Sequence, residues 1–341
     1  MISIVVISHN EAPRLRLVLA SLLRQGPALG DVVVVDDGST DGTSAVIDEI
    51  ASDLPLQRVF HPKARGRSAA RNAGAARAKG DILLFLDGDT VAAPDLTERH
   101  LEAHGGGRPI VGRGETLHLR STRFFLDPET GTPMPGQEQH VAQMGKERER
   151  SLVSRAEVLD AFDTFAKRAS PGIYPGTGPR RMYELEMEAL HHDPDSTVLW
   201  MAASANNLSL PRADFEAAGG FDERLTINEH RELVLRLCDR GLRVVPVPGR
   251  TYHLTHRVGW RDPWGDDRAW EDYFYERHPS LAVKLMSVYW RSVAGDAAIP
   301  PDARITSLRD LDRIVREGSS VDYDAVRSGH PALGPLPRPR D

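Results

Sequence analysis

The chain has 341 residues, 40% hydrophobic and 27% charged, ample for a sizeable core in one large domain or two closely packed halves. A formal net charge of −6 argues against a bulk nucleic-acid binder, which would present a basic face. A single cysteine, Cys238, excludes an intrachain disulfide and a cysteine metal cluster, and no apolar run approaches the ~18 residues of a membrane span.

The first ninety or so residues repeat an apolar run, a loop and a helical stripe. Ile2–Ile7 is a β-branched run without a basic leader, so it reads as a buried first strand and the expected compartment is the cytoplasm. Leu15, Val18, Leu19, Leu22 and Leu23 recur at helical spacing, and Gly26-Pro27 ends that helix. Val32–Val35 is a second strand, ending in the turn-rich Asp36-Asp37-Gly38-Ser39-Thr40-Asp41-Gly42. Ile47, Ile50, Ala51 and Leu54 mark another helix, and Gln57–His61 a third strand. Ser68 to Lys79 predicts a helix closed by Gly80, and Ile82–Leu86 a fourth strand running into Asp87-Gly88-Asp89. Such alternation implies a parallel sheet with right-handed crossovers, whose ligands sit beyond the carboxyl ends of the strands.

The second half is less regular. Residues 121–195 are rich in Pro, Gly and charge and read as an insertion or lid, with a helix from Val153 to Lys167. Trp200 to Leu210 is strand-like, Glu229 to Asp239 helical, and Val244-Val245 and Thr251-Tyr252-His253 are short strands. Trp260, Trp264 and Trp270 are candidates for core packing or for a sugar-stacking platform. The Pro-rich 330–341 reads as a disordered tail.

Two carboxylates flanking Gly88 at a strand end suit a hard divalent cation, and the glycine lets a phosphate approach closely. Asp37 can accept from a base N–H or a ribose hydroxyl. Arg65, Arg67 and Arg71 open a helix, where backbone N–H groups favour an anion.

Four blocks carry a resemblance: Ile4-Val5-Val6-Ile7-Ser8-His9-Asn10-Glu11, Val33 to Thr43, Ala70-Arg71-Asn72-Ala73-Gly74, and Gly80 to Asp89. In order and spacing they resemble family 2 glycosyltransferases, strongly over residues 1–112 and more loosely over 200–258. The resemblance implies an α/β GT-A fold, with a mostly parallel central sheet flanked by helices, an inserted helical or lid region and a C-terminal extension. Residues 1–112 would bind the nucleotide-sugar, 113–258 the acceptor, 259–329 would form the extension and 330–341 the tail. It also implies a UDP- or GDP-sugar donor, an unidentified acceptor and Mn²⁺ or Mg²⁺. Ser8, Asn10, Glu11, Asp37, Arg71, Asp87 and Gly88 would contact the donor, and Asp89, Asp87 and His253 the metal. His256 reads as structural or as a phosphate contact.

On the acceptor side, Asn228-Glu229-His230 departs from the family pattern, with His230 where an Asp usually deprotonates the acceptor. Glu229 or His230 is the candidate base. The sequence lacks a Gln-x-x-Arg-Trp motif and membrane spans, so transfer of a single sugar is expected, and its expected stereochemical course is inversion. Two rivals stand beside it: a non-catalytic nucleotide-binding scaffold and a sugar-nucleotidyltransferase, although Ser8-His9-Asn10-Glu11-Ala12-Pro13 is not the glycine-rich loop of the latter.

Overall fold

The computed structural model describes residues 1–171, 182–225, 227–256 and 269–337. Trp260, Trp264 and the end of the expected tail lie outside the described residues. The strands in chain order are β1 (Ile2–Ser8), β2 (Leu29–Asp36), β3 (Leu56–Phe60), β4 (Ile82–Asp87), β5 (Thr90–Ala92), β6 (Ile110–Leu119), β7 (Phe125–Asp127), β8 (Thr132–Pro133), β9 (Ser170–Pro171), β10 (Leu208–Pro211) and β11 (Arg243–Leu254). Four helices, α1 (Ala12–Leu22), α2 (Thr43–Ile50), α3 (Arg67–Ala75) and α4 (Leu96–His104), separate the early strands.

The central sheet runs β3-β2-β1-β4-β10-β6-β11-β5, with β9 paired to β6. The first four strands are parallel, as their βαβ connections require. Further along the sheet is mixed: β10 is antiparallel to β4 and β6, and β5 to β11. The two nominal halves share this one sheet. The early strands are apolar at nearly every position because both faces are covered. Ile4, Val6, Val34 and Leu84 pack toward α1 and α2, whereas Val5, Val33, Val35 and Phe85 pack with Trp200, Leu233 and the C-terminal helices.

Several expectations shift at their boundaries. The helix expected to Lys79 ends at Ala75. Gly80 does not cap it. A Cβ there would lie 2.7 Å from both Met1 O and Ser3 N, so the glycine lets this turn lie against β1. The helix expected over Val153–Lys167 is two short ones, Arg155–Asp160 and Phe162–Ala166, broken at Ala161. Trp200 belongs to a 3₁₀ turn (Leu199–Ala202), and the two short strands expected at Val244-Val245 and Thr251-Tyr252-His253 are one long β11 with an irregularity between Val247 and Arg250. The tail begins folded: His330 is buried and meets Asp296 Oδ2 at 3.0 Å, and Leu333 is buried in the core. The extension is anchored by a buried ion pair, Arg327 to Glu271 at 2.9 Å. Trp270 packs on Trp290 with ring centroids 5.9 Å apart. No helix among the described residues is long and apolar enough to cross a membrane.

One buried polar cluster bears on stability. His100 Nε2 donates to Asn207 Oδ1 (2.8 Å), and its Nδ1 accepts from Ser209 Oγ (2.7 Å). Burial pushes His100 down to about 3. A histidine with a lowered folded pKa stabilises fully above its unfolded value of about 6.5 and loses that contribution as pH falls. Between pH 7 and pH 5 this one group is expected to cost about 2 kcal/mol, at ~1.4 kcal/mol per pH unit. Denaturant unfolding at both pH values checks this, because a His100→Gln variant must show a shallower decline than the parent chain.

Candidate active site

The strand order brings the carboxyl ends of β1, β2 and β4 together, and β11 approaches from the far side through its pairing with β5. Gly88 makes the first turn possible. A Cβ there would stand 2.9 Å from Ile7 O and 3.0 Å from Ser8 Cβ, so a larger residue would push β1 and the acidic tripeptide apart.

Asp89 is the centre of the site. The register pairs His253 of β11 with Thr90, and Leu254 N donates to Asp89 O at 2.8 Å. That clamp carries two imidazoles to one carboxylate oxygen: His256 Nε2 lies 2.9 Å and His253 Nε2 3.3 Å from Asp89 Oδ2. The three side chains offer ligand atoms all within 4.8 Å of one another. Burial alone would raise the Asp89 carboxyl, but His253 and His256 outweigh it and hold it well below the usual range. Glu11 borders the group, 3.5 Å from His256 Nε2. Burial, reinforced by the Asp89 charge, pushes Glu11 up to about 7. His118 on β6 stands behind His253, and burial pushes it down to about 3. Two buried hydroxyls, Ser8 Oγ and Thr255 Oγ1, have no hydrogen-bond partner among the described residues, and Ser8 lies beside Gly88.

Asp87 is not in this cluster. Its Oδ1 accepts from Arg71 Nη2 at 2.8 Å, and Arg71 Nη1 donates to Glu229 Oε1 at 2.6 Å. Arg71 is 2% exposed, so its two terminal nitrogens tie the end of β4 to the start of the helix Glu229–Asp239. Burial opposes the Arg71 charge, but the two carboxylates raise its pKa above the ordinary value. Asp37 is likewise engaged. It accepts from His61 Nδ1 (2.7 Å), Arg65 N (2.9 Å) and Gly66 N (2.9 Å), which shapes the loop entering α3. Asn10, at φ 54°, accepts from Thr40 N at 2.7 Å and joins the β1 and β2 loops. Arg65 reaches Glu223 at 3.2 Å.

Glu229, the first of the two candidate bases, is buried. Burial would raise its carboxyl, but the His230 hydrogen bond and the His230 and Arg71 charges hold it far below the usual range. His230 Nδ1 is 3.6 Å from Glu229 Oε1, and its side chain is 18% exposed against 3% for Glu229. Burial lowers His230, against the pull of Glu229. Arg231 Nη1 donates to His230 Nε2 at 3.1 Å. A separate cleft of about 720 Å³, lined by Phe162, Tyr252, Lys167 and Arg250 among others, contains none of these groups. Volume is a poorer guide here than convergent polar chemistry.

Sequence reasoning placed Asp89 and His253 side by side but set His256 apart from them. The His253-Leu254-Thr255-His256 spacing was the available signal, and it became informative only once the chain's path past Asp89 was known.

Residues 3–122 match Glycosyl transferase family 2. Validoxylamine A glucosyltransferase of Streptomyces hygroscopicus subsp. jinggangensis (strain 5008) is 29% identical over 300 residues, covering 84% of this chain and 63% of that protein. The chain therefore spans less than two thirds of that relative's length. Among solved structures, S. aureus TarS 1-349 superposes with a TM-score of 0.54 at 15% identity, covering 95% of this chain and 82% of that one. Mannosyltransferase PcManGT from Pyrobaculum calidifontis, in complex with GDP-Man and Mn²⁺, superposes with a TM-score of 0.50 at 17% identity, covering 97% and 73%. The sheet is that of the GT-A fold, and residues 3–122 of the chain are similar to glycosyl transferase family 2.

Proposed function

We propose that the chain transfers a single sugar from a UDP- or GDP-sugar to an acceptor, with inversion, using a divalent cation. The observation that carries the reading is the convergence of Asp89, His253 and His256 beyond the strand ends of a family 2 glycosyltransferase sheet. One ionised carboxylate and two imidazoles suit a divalent ion. Asp89, His253 and His256 would hold it, and the bound ion would neutralise charge on the departing diphosphate.

The chain's own residues do the rest. Asp37 and Asn10 shape the pocket for base and ribose, and Ser8, Glu11, Asp87 and Gly88 line the approach of the diphosphate and sugar. Arg71 sets the position of Asp87 from behind. The acceptor oxygen attacks the anomeric carbon opposite the diphosphate, the bond from that carbon to the diphosphate oxygen breaks, and its electron pair leaves with the nucleotide. His230, the more accessible of the two candidates, takes the acceptor proton on Nε2 as the acceptor displaces the Arg231 N–H, and Glu229 at Nδ1 orients the ring and stabilises the imidazolium. A donor assay tests the reading: the chain incubated with UDP-glucose, UDP-GlcNAc or GDP-mannose and Mn²⁺ is expected to release nucleoside diphosphate slowly. Arg71's hold on Glu229 favours one rival, a nucleotide-binding scaffold, and binding without release would select it.

The donor set also predicts which ion is preferred. Imidazole suits first-row transition ions, whereas Mg²⁺ favours oxygen ligands and keeps its waters. Mn²⁺ is therefore expected to support nucleotide binding at concentrations at least about tenfold below those of Mg²⁺. Isothermal titration of UDP and GDP across both metals measures this, and equal potency would remove the two histidines from the ligand set.

A further inference from the structure

We infer that His118 is a positioning residue that fixes the tautomer and orientation of His253 toward the metal, an inference resting on the metal-dependent reading above. His118 and His253 are register partners on the parallel strands β6 and β11. Both are buried, and their rings meet edge to face at 88°. Their Nδ1 atoms lie 3.1 Å apart, so one proton is shared between them.

Which nitrogen carries that proton follows from the other end of His253. Its Nε2 faces Asp89 Oδ2 at 3.3 Å, within the three-residue cluster. A neutral imidazole that offers a bare Nε2 lone pair to a cation carries its proton on Nδ1. With a cation at Nε2, His253 would therefore donate from Nδ1, and His118 would accept at Nδ1 with its own proton on Nε2. Without an acceptor at that point His253 would lose the His118 contact that favours this tautomer, and the opposite tautomer would turn a proton toward the cation. Partners behind a ligating histidine typically contribute 10- to 100-fold in metal affinity.

The test is Mn²⁺ binding to the full chain, followed by the electron paramagnetic resonance signal of free Mn²⁺. His118→Phe keeps a buried ring without an acceptor and is expected to weaken binding about 10- to 100-fold. His118→Asn sets an amide oxygen near the place of Nδ1 and is expected to stay within about threefold of the parent chain. His118→Gln places its oxygen further out and is expected to behave like the Phe variant, which keeps the test available if that variant does not fold. In a His253→Ala background the His118 substitutions must become silent, because a merely structural role would persist there. Parent-like affinity in His118→Phe or His118→Gln, or an undiminished effect in the His253→Ala background, overturns this inference alone. Absence of Mn²⁺ binding to the parent chain overturns the metal-dependent reading itself.

Discussion

Asp89→Asn is expected to abolish metal-dependent nucleotide binding and to lower turnover on the order of 100-fold or more. Asp89 supplies the carboxylate of the three-residue cluster, and both imidazoles are drawn to its Oδ2. Asparagine keeps the size but removes the charge that a cation would need beside two neutral ligands. It also turns a possible N–H donor toward groups that must present lone pairs. The fold should survive, because the backbone bond from Leu254 N to Asp89 O does not involve the side chain. Calorimetric titration of UDP and GDP with and without Mn²⁺ separates the two effects. The parent chain should bind more tightly with metal, and the variant equally weakly in both. Retention of the metal increment in Asp89→Asn would be incompatible with Asp89 as a ligand.

Arg71→Ala is expected to be the most destabilising single change near the site. The guanidinium is fully enclosed and bonded to Asp87 and to the buried Glu229. Removing one partner of a buried pair leaves an uncompensated charge, typically at a cost of about 3–5 kcal/mol. His230, 3.6 Å from Glu229, offsets part of this only when protonated. The sign of the pH dependence follows from Glu229. Its folded pKa is depressed, so the pair's contribution is present above the unfolded value of about 4.5 and fades as pH falls. The destabilisation by Arg71→Ala should therefore be larger at pH 7 than at pH 4, where a relaxed Glu229 can take up a proton. Arg71→Lys keeps the charge but lacks the planar fork, and should recover part of the stability while still separating Asp87 from Glu229. Denaturant melts of the three proteins at both pH values decide the matter. A loss in Arg71→Ala below about 1 kcal/mol at pH 7 would mean that the bridge contributes little.

How much of this was legible beforehand differs between the two sides of the site. The β-branched runs, the glycine breaks and the loops at Asp37 and Asp87 are local signals, and the sheet places such loops at one end by right-handed crossover alone. The N-terminal half could therefore be read from pattern. The mixed second half could not, because β10 is only four residues long and β11 continues through an irregularity that reads as a break.

Residue types and spacing sufficed for the acidic tripeptide, the need for glycine at its centre and the family of the fold, because these depend on neighbours along the chain. The pairings of Asp89 with His256 and of Arg71 with Glu229 join residues more than 150 positions apart. His256 reaches Asp89 only because β11 pairs with both β5 and β6, and Arg71 spans Asp87 and Glu229 because α3 and the helix Glu229–Asp239 meet beside the end of β4. An arginine at a helix start suggests an anion site from its chemistry alone. That its terminal nitrogens are instead spent on two carboxylates follows from burial and long-range packing, which leave a buried charge no stable state but a paired one.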